Sequence, residues 1–583
     1  MKKFKKGIIS SACLTLVSCI LLSACTGTAP AASTPAGGNS TSPSSSAEPA
    51  KDAPLGSGLI AATDPSKLPA AAAARKDTLI IGASEFSGVF NPFFTESAFD
   101  MRVIDLTFAN LLNNDDKGKM VDNIGSMKIS DDGLTYTFTV NPSKYSDGSD
   151  VKIEDYILSY KIILDKSYDG YSDLTSIHIV GADEYNKGTA KDISGIKILD
   201  DHTFEVKLKE PNASAQYNLG LNPPVSTAKY GSLIKQGDLS KFKAVNMVNF
   251  VSNGPYILTD YKQGQSATLK SNPNYFRGEP KIKNIIVKVV ANDAELQAVI
   301  TGDVDIEEDV TANQDQIDTG KAEGFINLLH QPNLGYGYIG LNHKKAEFQD
   351  QKVRQALLYA IDRKSLNESV YGEYAKALNI PQSGVSWLYT DEGVNPYEYN
   401  LDKAAELLKE AGWVKDSGGS LTKDGKQFKI IFSVVKDNAV TNVLLPMMIE
   451  SYKKLGINLQ AEYVDFPTLQ TKTQKGNFEM FFMAWSLTAD PDISQVYASD
   501  GQQNHIFYKN AELDKLLQEA RRETKDDKRK ELYKQIYQLI NKDLPVFPMY
   551  QRSNLITYNT RVKNLVSSPY LNYRNSIEKM ELQ

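Results

Sequence analysis

The stretch DQKVRQALLYAID (350–362) carries a helical pattern, with apolar residues at i, i+3, i+4, i+7 and i+8: Val353, Ala356, Leu357, Ala360 and Ile361. That spacing places them on one face of an α-helix. YNLDKAAELLKEAGW (399–413) repeats the pattern, whereas GLTYTFTV (133–140) and HTFEVKLK (202–209) alternate apolar and polar residues as half-buried strands do. Strand and helix signals alternate along the chain, so the predicted fold class is α/β or mixed α+β.

Length and charge limit what kind of protein this is. The chain has 583 residues, of which 41% are hydrophobic and 23% charged, which is too long for one ordinary core and predicts two or three lobes. The net charge is −6, and no Lys/Arg stripe runs along the sequence. We therefore expect no nucleic-acid partner.

The first 24 residues have the composition of an export signal. MKKFKK is basic, GIISSACLTLVSCILL is apolar and too short for a comfortable membrane span, and LLSAC ends in small residues. This ending resembles a bacterial lipobox, in which cleavage precedes Cys25 and that cysteine carries the lipid; a simple secretory signal with a chance cysteine is the alternative. Because the other two cysteines, Cys13 and Cys19, lie inside the signal, the mature fold is predicted to contain no internal disulfide.

The predicted membrane attachment follows from Cys25 and the segment after it. Residues 25–76 comprise the lipidated cysteine and a predicted disordered tether, because most of them are Ala, Ser, Thr, Pro or Gly. We expect an exported protein anchored by lipid to the outer face of the cell membrane. A lipobox followed by a long Ser/Pro/Thr tether favours a one-membrane, Gram-positive-type cell.

The folded body offers no catalytic pattern. Its five histidines are widely spaced without an HExxH pair, and neither a GxSxG elbow nor a GxxxxGK[ST] loop occurs. No mature cysteine apart from the acylated one is available as a nucleophile. We therefore predict no enzyme, no catalytic residue, no cofactor and no metal site.

Four segments, in order, resemble one protein family: KYSDGSDVKIEDYILSYKIILD (144–165), NGPYILTDYKQGQSATLKSNPNYFRGEPKIKNIIVKVV (253–290), ELQAVITGDVDI (295–306) and YIGLNHKKAEFQDQKVRQALLYAIDRK (338–364). They are similar to segments of the extracytoplasmic solute-binding proteins of ABC importers, in the subgroup that takes up oligopeptides and dipeptides. The resemblance extends over about 77–583, essentially the whole mature body.

The resemblance implies a two-lobed, periplasmic-binding-protein-like (type II) fold, with an additional domain on lobe I and a ligand cleft between the lobes. Carried onto this chain, the expected segments are lobe I at 77–110, 211–330 and 536–583, the extra domain at 111–210, and lobe II at 331–535. A two-segment hinge would let the lobes close on a ligand. The expected partners are a peptide ligand and the permease subunits with their ATPases, and a monomer is expected.

The stretch WSLTADPD (485–492) is the main site candidate, because the resemblance places it at the cleft edge of lobe II. It implies that Trp485 lines the pocket and that its neighbours, including Ser486, lend main-chain groups to an extended peptide. Thr488 stands where peptide binders commonly carry an aspartate that pairs with the peptide's α-ammonium, and a hydroxyl cannot supply that charge-assisted bond. Either Asp490 takes over this role, or the ligand lacks a free amino terminus there, or Asp490 and Asp492 only cap the next helix.

Three further candidates come from the same resemblance. Glu96, in NPFFTESAFD (91–100), would meet a cationic end of the ligand from lobe I, although it could equally be a solvated acid. Trp387 would be a second cleft aromatic or an interior packing residue. Tyr550 would reach the cleft from the returning C-terminal segment or lie in the hinge core.

The predicted function is therefore capture of oligopeptides outside the cell by cleft closure, followed by delivery to a permease. Because Thr488 removes a peptide-specific feature, a non-peptide ligand such as an oligosaccharide or a metal chelate is the alternative within the same fold. A surface enzyme, or a peptide-sensing receptor without import, would be alternatives of another class.

Overall fold

The computed structural model describes residues 55–84, 86–95, 97–291, 293–436 and 438–583. The export signal, Cys25 and the first part of the predicted tether lie outside the described residues, as does Glu96. The folded body has two lobes, as predicted, each built on its own part of a mixed sheet.

Lobe I is built on a mixed sheet around the strand Thr78–Ala83. This strand runs parallel to both its neighbours, and it reads as an apolar run because helices and loops cover both faces. In spatial order the strands are Val546–Asn559, Ile306–Thr311, Thr78–Ala83, Asn284–Val289, Ser266–Ser271 and Tyr256–Lys262. The main helices packed here are Ala98–Thr107, Ala215–Gly220, Glu295–Ile300 and Gln314–Glu323.

The extra domain carries a four-stranded antiparallel sheet in the order Gly125–Ile129, Thr135–Val140, Thr203–Lys207 and Ile196–Asp200. The two strands expected from alternation are confirmed, and their inward residues Phe138 and Phe204 stack with ring centroids 5.1 Å apart. The helix Ile153–Ile163 covers this sheet, and the two share one continuous core with lobe I. The extra domain is therefore an extension of lobe I.

Lobe II has its own sheet, in the order Asn458–Val464, Lys429–Val435, Met480–Ser486, Gly335–Leu341 and Val546–Asn559. Its helices are Gln351–Tyr359, Arg363–Tyr371, Leu401–Glu410, Ala439–Leu455, Phe466–Lys475, Ala511–Arg522 and Asp526–Asp543. Both helices expected from periodicity are confirmed. Asn400 caps one of them by accepting the N–H of Lys403 at 2.8 Å, and Gly412 follows its end with φ +84°.

Two segments join the lobes. One runs from the strand Ile326–Pro332 into the strand Gly335–Leu341, and the other is the strand Val546–Asn559, which we call the crossing strand. The first half of the crossing strand pairs in lobe II, and its second half pairs in lobe I. The buried amide of Gln551 ties the two segments together at this junction by donating to the carbonyl of Asn333 at 2.9 Å.

Two boundaries differ from those expected. The helix Asp526–Asp543 and residues 546–550 pack in the cores of lobe II, so the chain returns to lobe I near Gln551 and not at residue 536. The folded body also begins before residue 77. The strand Gly58–Ile60 pairs with the strand Ile326–Pro332, because an unpaired sheet edge is available there.

None of the helices in the described ranges is both long and apolar enough to cross a bilayer. Within the same ranges, no group of three His, Cys, Asp or Glu residues is placed to hold a metal ion.

Candidate functional site

A cavity of about 310 Å³, which we call the central cavity, lies between lobe II and the lobe I side of the molecule. It adjoins a second cavity of about 350 Å³ through Trp485 and Val496, and a third of about 220 Å³ through Leu221 and Asn222. Tyr171 lines all three. We call these three adjoining cavities the cleft.

One strand of lobe II presents a main-chain edge to this cleft. The strand Met480–Ser486 pairs along its whole length with Gly335–Leu341, but on its other side pairing with Lys429–Val435 reaches only to Phe481. Within the described residues, 482–486 therefore have no strand partner on that second side. The edge is open where the sheet approaches the cavities.

The direction of the open hydrogen-bonding groups follows from the ladder. Leu487 donates its N–H to the carbonyl of Leu334 at 2.8 Å, and Trp485 is paired with Tyr336. Because residues in an antiparallel ladder point their main-chain groups alternately to either side, those of Trp485 face Tyr336. The N–H and C=O groups of Ala484 and Ser486 point the opposite way, to the open edge.

Trp485 forms an aromatic wall of the cleft. It lines both the central cavity and the second cavity, and it stacks on Tyr338 with ring centroids 6.1 Å apart and an interplanar angle of 9°. Its indole is half-buried. A ring supported from behind in this way offers a rigid apolar surface to a ligand.

The residues after Trp485 also line the central cavity, namely Ser486, Thr488, Asp490 and Asp492. Ser486 and Thr488 are exposed, and the Thr488 hydroxyl donates to the main-chain carbonyl of Asp490 at 3.2 Å. The structure thus brings four of the predicted ligand-binding residues together, including Trp485. Their contact with a ligand stays a prediction.

The two aspartates of the DPD turn (residues 490–492) face arginines behind the cavity wall. The Asp490 carboxylate lies 3.6 Å from a guanidinium nitrogen of Arg529, whose side chain is only 3% exposed. Asp492 pairs with Arg521 at 3.2 Å. Burial raises the pKa of Asp490, and Arg529 opposes that rise.

Asp490 and Asp492 have different partners within the protein. Asp492 makes the local helix contacts, since its carboxylate accepts the N–H of Ser494 at 3.0 Å beside the helix Ser494–Tyr497. Asp490 accepts the N–H of Asp492 at 3.2 Å, and its carboxylate lies 3.6 Å from the guanidinium of Arg529. Its charge therefore has an internal partner already.

Opposite the DPD turn, the lobe I side supplies cleft residues that the sequence did not indicate. Asp173 of the extra domain accepts a hydrogen bond from the Gln495 side chain of lobe II at 2.7 Å. At the rim, Glu210 forms an ion pair with Arg522 at 2.6 Å. A turn-forming Asp-x-Thr pattern was the only signal at Asp173, and such a pattern is common in loops.

Two predicted residues are placed away from these cavities. Tyr550 is 5% exposed in the lobe II core, against Gly337 and with its hydroxyl 3.3 Å from that of Tyr371. Trp387 packs half-buried beside Arg529. Neither residue is among those that line the three cavities described above, and their contact with a ligand stays a prediction.

Comparison with known proteins agrees with this geometry. Residues 122–506, more than half of the chain, match the model of the bacterial extracellular solute-binding proteins, family 5. The oligopeptide-binding protein AppA of Bacillus subtilis is 30% identical over 491 residues, which are 82% of this chain and 86% of that protein. Its structure in complex with a nonapeptide has a TM-score of 0.76 at 28% identity, covering 87% of this chain and 99% of the solved one.

A relative with a different ligand is also similar. Heme-binding protein A of Haemophilus influenzae is 27% identical over 467 residues, which are 76% of this chain and 81% of that protein.

Proposed function

Because the chain belongs to the bacterial extracellular solute-binding proteins of family 5, we propose that it captures oligopeptides outside the cell and delivers them to the permease of an ABC importer. The protein acts as a monomeric carrier and changes no bond in its ligand. Cys25 carries the lipid that holds it to the outer face of the membrane.

The observation that carries the proposal is the open edge of the strand Met480–Ser486. The main-chain groups of Ala484 and Ser486 face the cleft side, so an extended peptide can add to this sheet as a further strand. Main-chain bonds recognise any sequence, which suits a carrier of varied peptides. The solved relative with a nonapeptide in its complex supports a ligand of this kind.

Closure couples binding to delivery. Gln495 of lobe II contacts Asp173, and Arg522 of lobe II contacts Glu210, so both contacts join lobe II to the lobe I side. A peptide that touches both sides adds its binding energy to these contacts and shifts the population of molecules toward the closed form. The permease can then distinguish loaded from empty carrier by shape.

A metal chelate is the second candidate, and two observations favour it. A heme-binding relative covers 76% of the chain, and the stacked pair Trp485–Tyr338 presents a flat aromatic surface to the cleft. A large planar chelate could lie against such a surface.

The two candidates differ in what the purified protein contains. The full-length protein is purified in mild detergent without added ligand and denatured, and the released small molecules are identified by mass spectrometry. The comparison includes Trp485→Ala in the cleft and Trp413→Phe in the lobe II core as the matched control. Peptides released from the natural protein and the control but not from Trp485→Ala support the proposal, whereas porphyrin or another chelate in their place refutes it.

A further inference from the structure

The wall of the central cavity has an unbalanced charge. Among the residues that the structure describes, three carboxylates line it, those of Asp173, Asp490 and Asp492, and no lysine, arginine or histidine does. Asp490 and Asp492 each face an arginine just behind the wall, at 3.6 Å and 3.2 Å respectively. Two of the three negative charges are thus compensated from within the protein.

Asp173 differs because its partners are all neutral. One carboxylate oxygen accepts the N–H and the hydroxyl of Thr175 at 2.7 and 2.6 Å, and also the N–H of Ser176 at 3.3 Å. The other oxygen accepts the amide of Gln495 at 2.7 Å. No lysine, arginine or histidine of the described residues pairs with it within 4.0 Å, so a negative charge at the cavity wall is left without a cation.

We propose that Asp173 is a specificity-determining residue of the cleft, where it binds a cationic group of the peptide, either its α-ammonium or a lysine or arginine side chain. The inference rests on the proposed peptide-binding function and assigns the anchor to the extra domain and not to the WSLTADPD loop. The cation joins or displaces the Gln495 amide at the second carboxylate oxygen. Replacing a neutral donor by a charged one strengthens the hydrogen bond.

The position of Asp173 also fits its role. It lies across the cavity from the DPD turn, and the bond to Gln495 shows that its carboxylate reaches lobe II in this arrangement. A ligand cation there is recognised from the lobe I side while its main chain lies on the strand edge of lobe II. Charge recognition and closure are therefore coupled.

Asp490 is a poorer anchor for the same cation. A ligand ammonium approaching it meets the positive charge of Arg529, which is held by burial and cannot move into water. The attraction of the Asp490 carboxylate for a second cation is reduced accordingly. Asp173 then supplies the carboxylate that position 488 lacks.

The test uses three variants of the full-length protein. Asp173→Asn keeps an oxygen for Thr175 and Ser176, and Gln495 can turn its amide to match the new NH₂ group, so only the charge is removed. Asp201→Asn changes an exposed acid of the same domain that lines none of the three cavities of the cleft, and it serves as the matched control. Gln495→Leu removes the cross-cleft hydrogen bond but leaves the Asp173 charge.

Binding is measured by calorimetry with three synthetic nonapeptide pools made from Ala, Ser, Gln, Val and Tyr. The first pool has free amino termini, the second is Nα-acetylated, and the third is Nα-acetylated and carries one lysine. We expect Asp173→Asn to weaken binding of the first or the third pool at least tenfold, and the pool affected identifies the source of the cation. Binding of the acetylated, lysine-free pool should change less than twofold, and Asp201→Asn should bind every pool as the natural protein does.

Two outcomes overturn the inference while peptide binding stands. One is that Asp173→Asn weakens all three pools equally, and the other is that Gln495→Leu reproduces the whole loss. In either case Asp173 stabilises the contact between the lobes and does not bind a cationic group of the ligand. If the natural protein binds none of the pools, the proposed function itself fails, and the inference fails with it.

Discussion

Replacing Arg529 by methionine should destabilise lobe II, because this arginine is the internal partner of the DPD turn. Its side chain is 3% exposed, that of Asp490 is 14% exposed, and their charged atoms are 3.6 Å apart. At that distance the attraction is about 5 kcal/mol for an effective dielectric constant of about 20. Removing one member of a buried pair costs about 3–5 kcal/mol, since the other charge is left without compensation.

The interaction free energy between Arg529 and Asp490 is measured by a double-mutant cycle of Arg529→Met and Asp490→Asn. Urea unfolding is followed by far-UV circular dichroism. We expect Arg529→Met to lower the free energy of unfolding by about 3–5 kcal/mol, and the double variant to recover at least about 2 kcal/mol of that loss. Lys454→Met, which removes an exposed ion pair with Glu450 in the same lobe, is the matched control and should change it by less than about 1 kcal/mol.

The pH dependence of the loss gives an independent check. Burial raises the pKa of Asp490, and removing Arg529 raises that pKa further, because the arginine is what opposes the rise. Protonation then neutralises the stranded carboxylate as the pH falls, so the loss in Arg529→Met should shrink at acidic pH. A coupling energy under about 0.5 kcal/mol, with a loss that does not vary with pH, would refute the reasoning and leave Asp490 available to a ligand.

Three other predictions concern different parts of the molecule. Arg522→Gln removes the ion pair with Glu210 at the rim of the cleft. Because that pair is partly exposed, peptide affinity measured by calorimetry should fall only about two- to fivefold. An unchanged affinity would show that the pair does not favour closure. Burial raises the pKa of Glu307 to about 7, so the folded chain keeps a proton that the unfolded chain loses near pH 4.5, and stability falls as the pH rises from about 4.5 to 7. Glu307→Gln should flatten that fall and add up to about 3 kcal/mol to the free energy of unfolding at pH 8, measured by urea titration. A variant whose stability varies with pH in parallel with that of the natural protein would contradict this prediction. Gln551→Leu leaves hydrogen-bonding groups at the hinge without partners, so it should lower the free energy of unfolding by about 1–3 kcal/mol. It should also speed amide hydrogen exchange in residues 383–385. Exchange there at the rate of the natural protein would exclude a hinge role for Gln551.

Several features of this protein could be predicted from its sequence. The helix Gln351–Tyr359 and the strand Thr135–Val140 were predicted because burial of one face imposes a period on neighbouring residues, and that period is local. The family was predicted differently, from the resemblance of ordered segments such as residues 253–290 to those of known proteins. The placement of Trp485, Thr488 and Asp490 on the cleft followed from that resemblance.

Prediction from sequence was weaker where a residue's surroundings come from distant segments of the chain. Tyr550 lies in the core of lobe II because the register of the crossing strand turns its ring toward Gly337 and Tyr371. The expected boundary at residue 536 falls inside the helix Asp526–Asp543. The apolar face of this helix could cover either lobe, and only the packing shows that it joins a core of lobe II.

The sequence by itself predicted individual helices and strands, because each depends on a pattern within a few consecutive residues, and it predicted the family from ordered segments. The export signal stays a prediction. The tertiary structure alone decided which charges are paired. Asp490 meets Arg529, 39 positions away along the chain, while Asp173 meets Gln495 at a separation of 322 residues. Electrostatic attraction depends on distance in space and on burial, and neither can be read from separation along the chain. For this reason the internal neutralisation of the DPD turn, and the uncompensated charge of Asp173 opposite it, became visible only in the folded molecule.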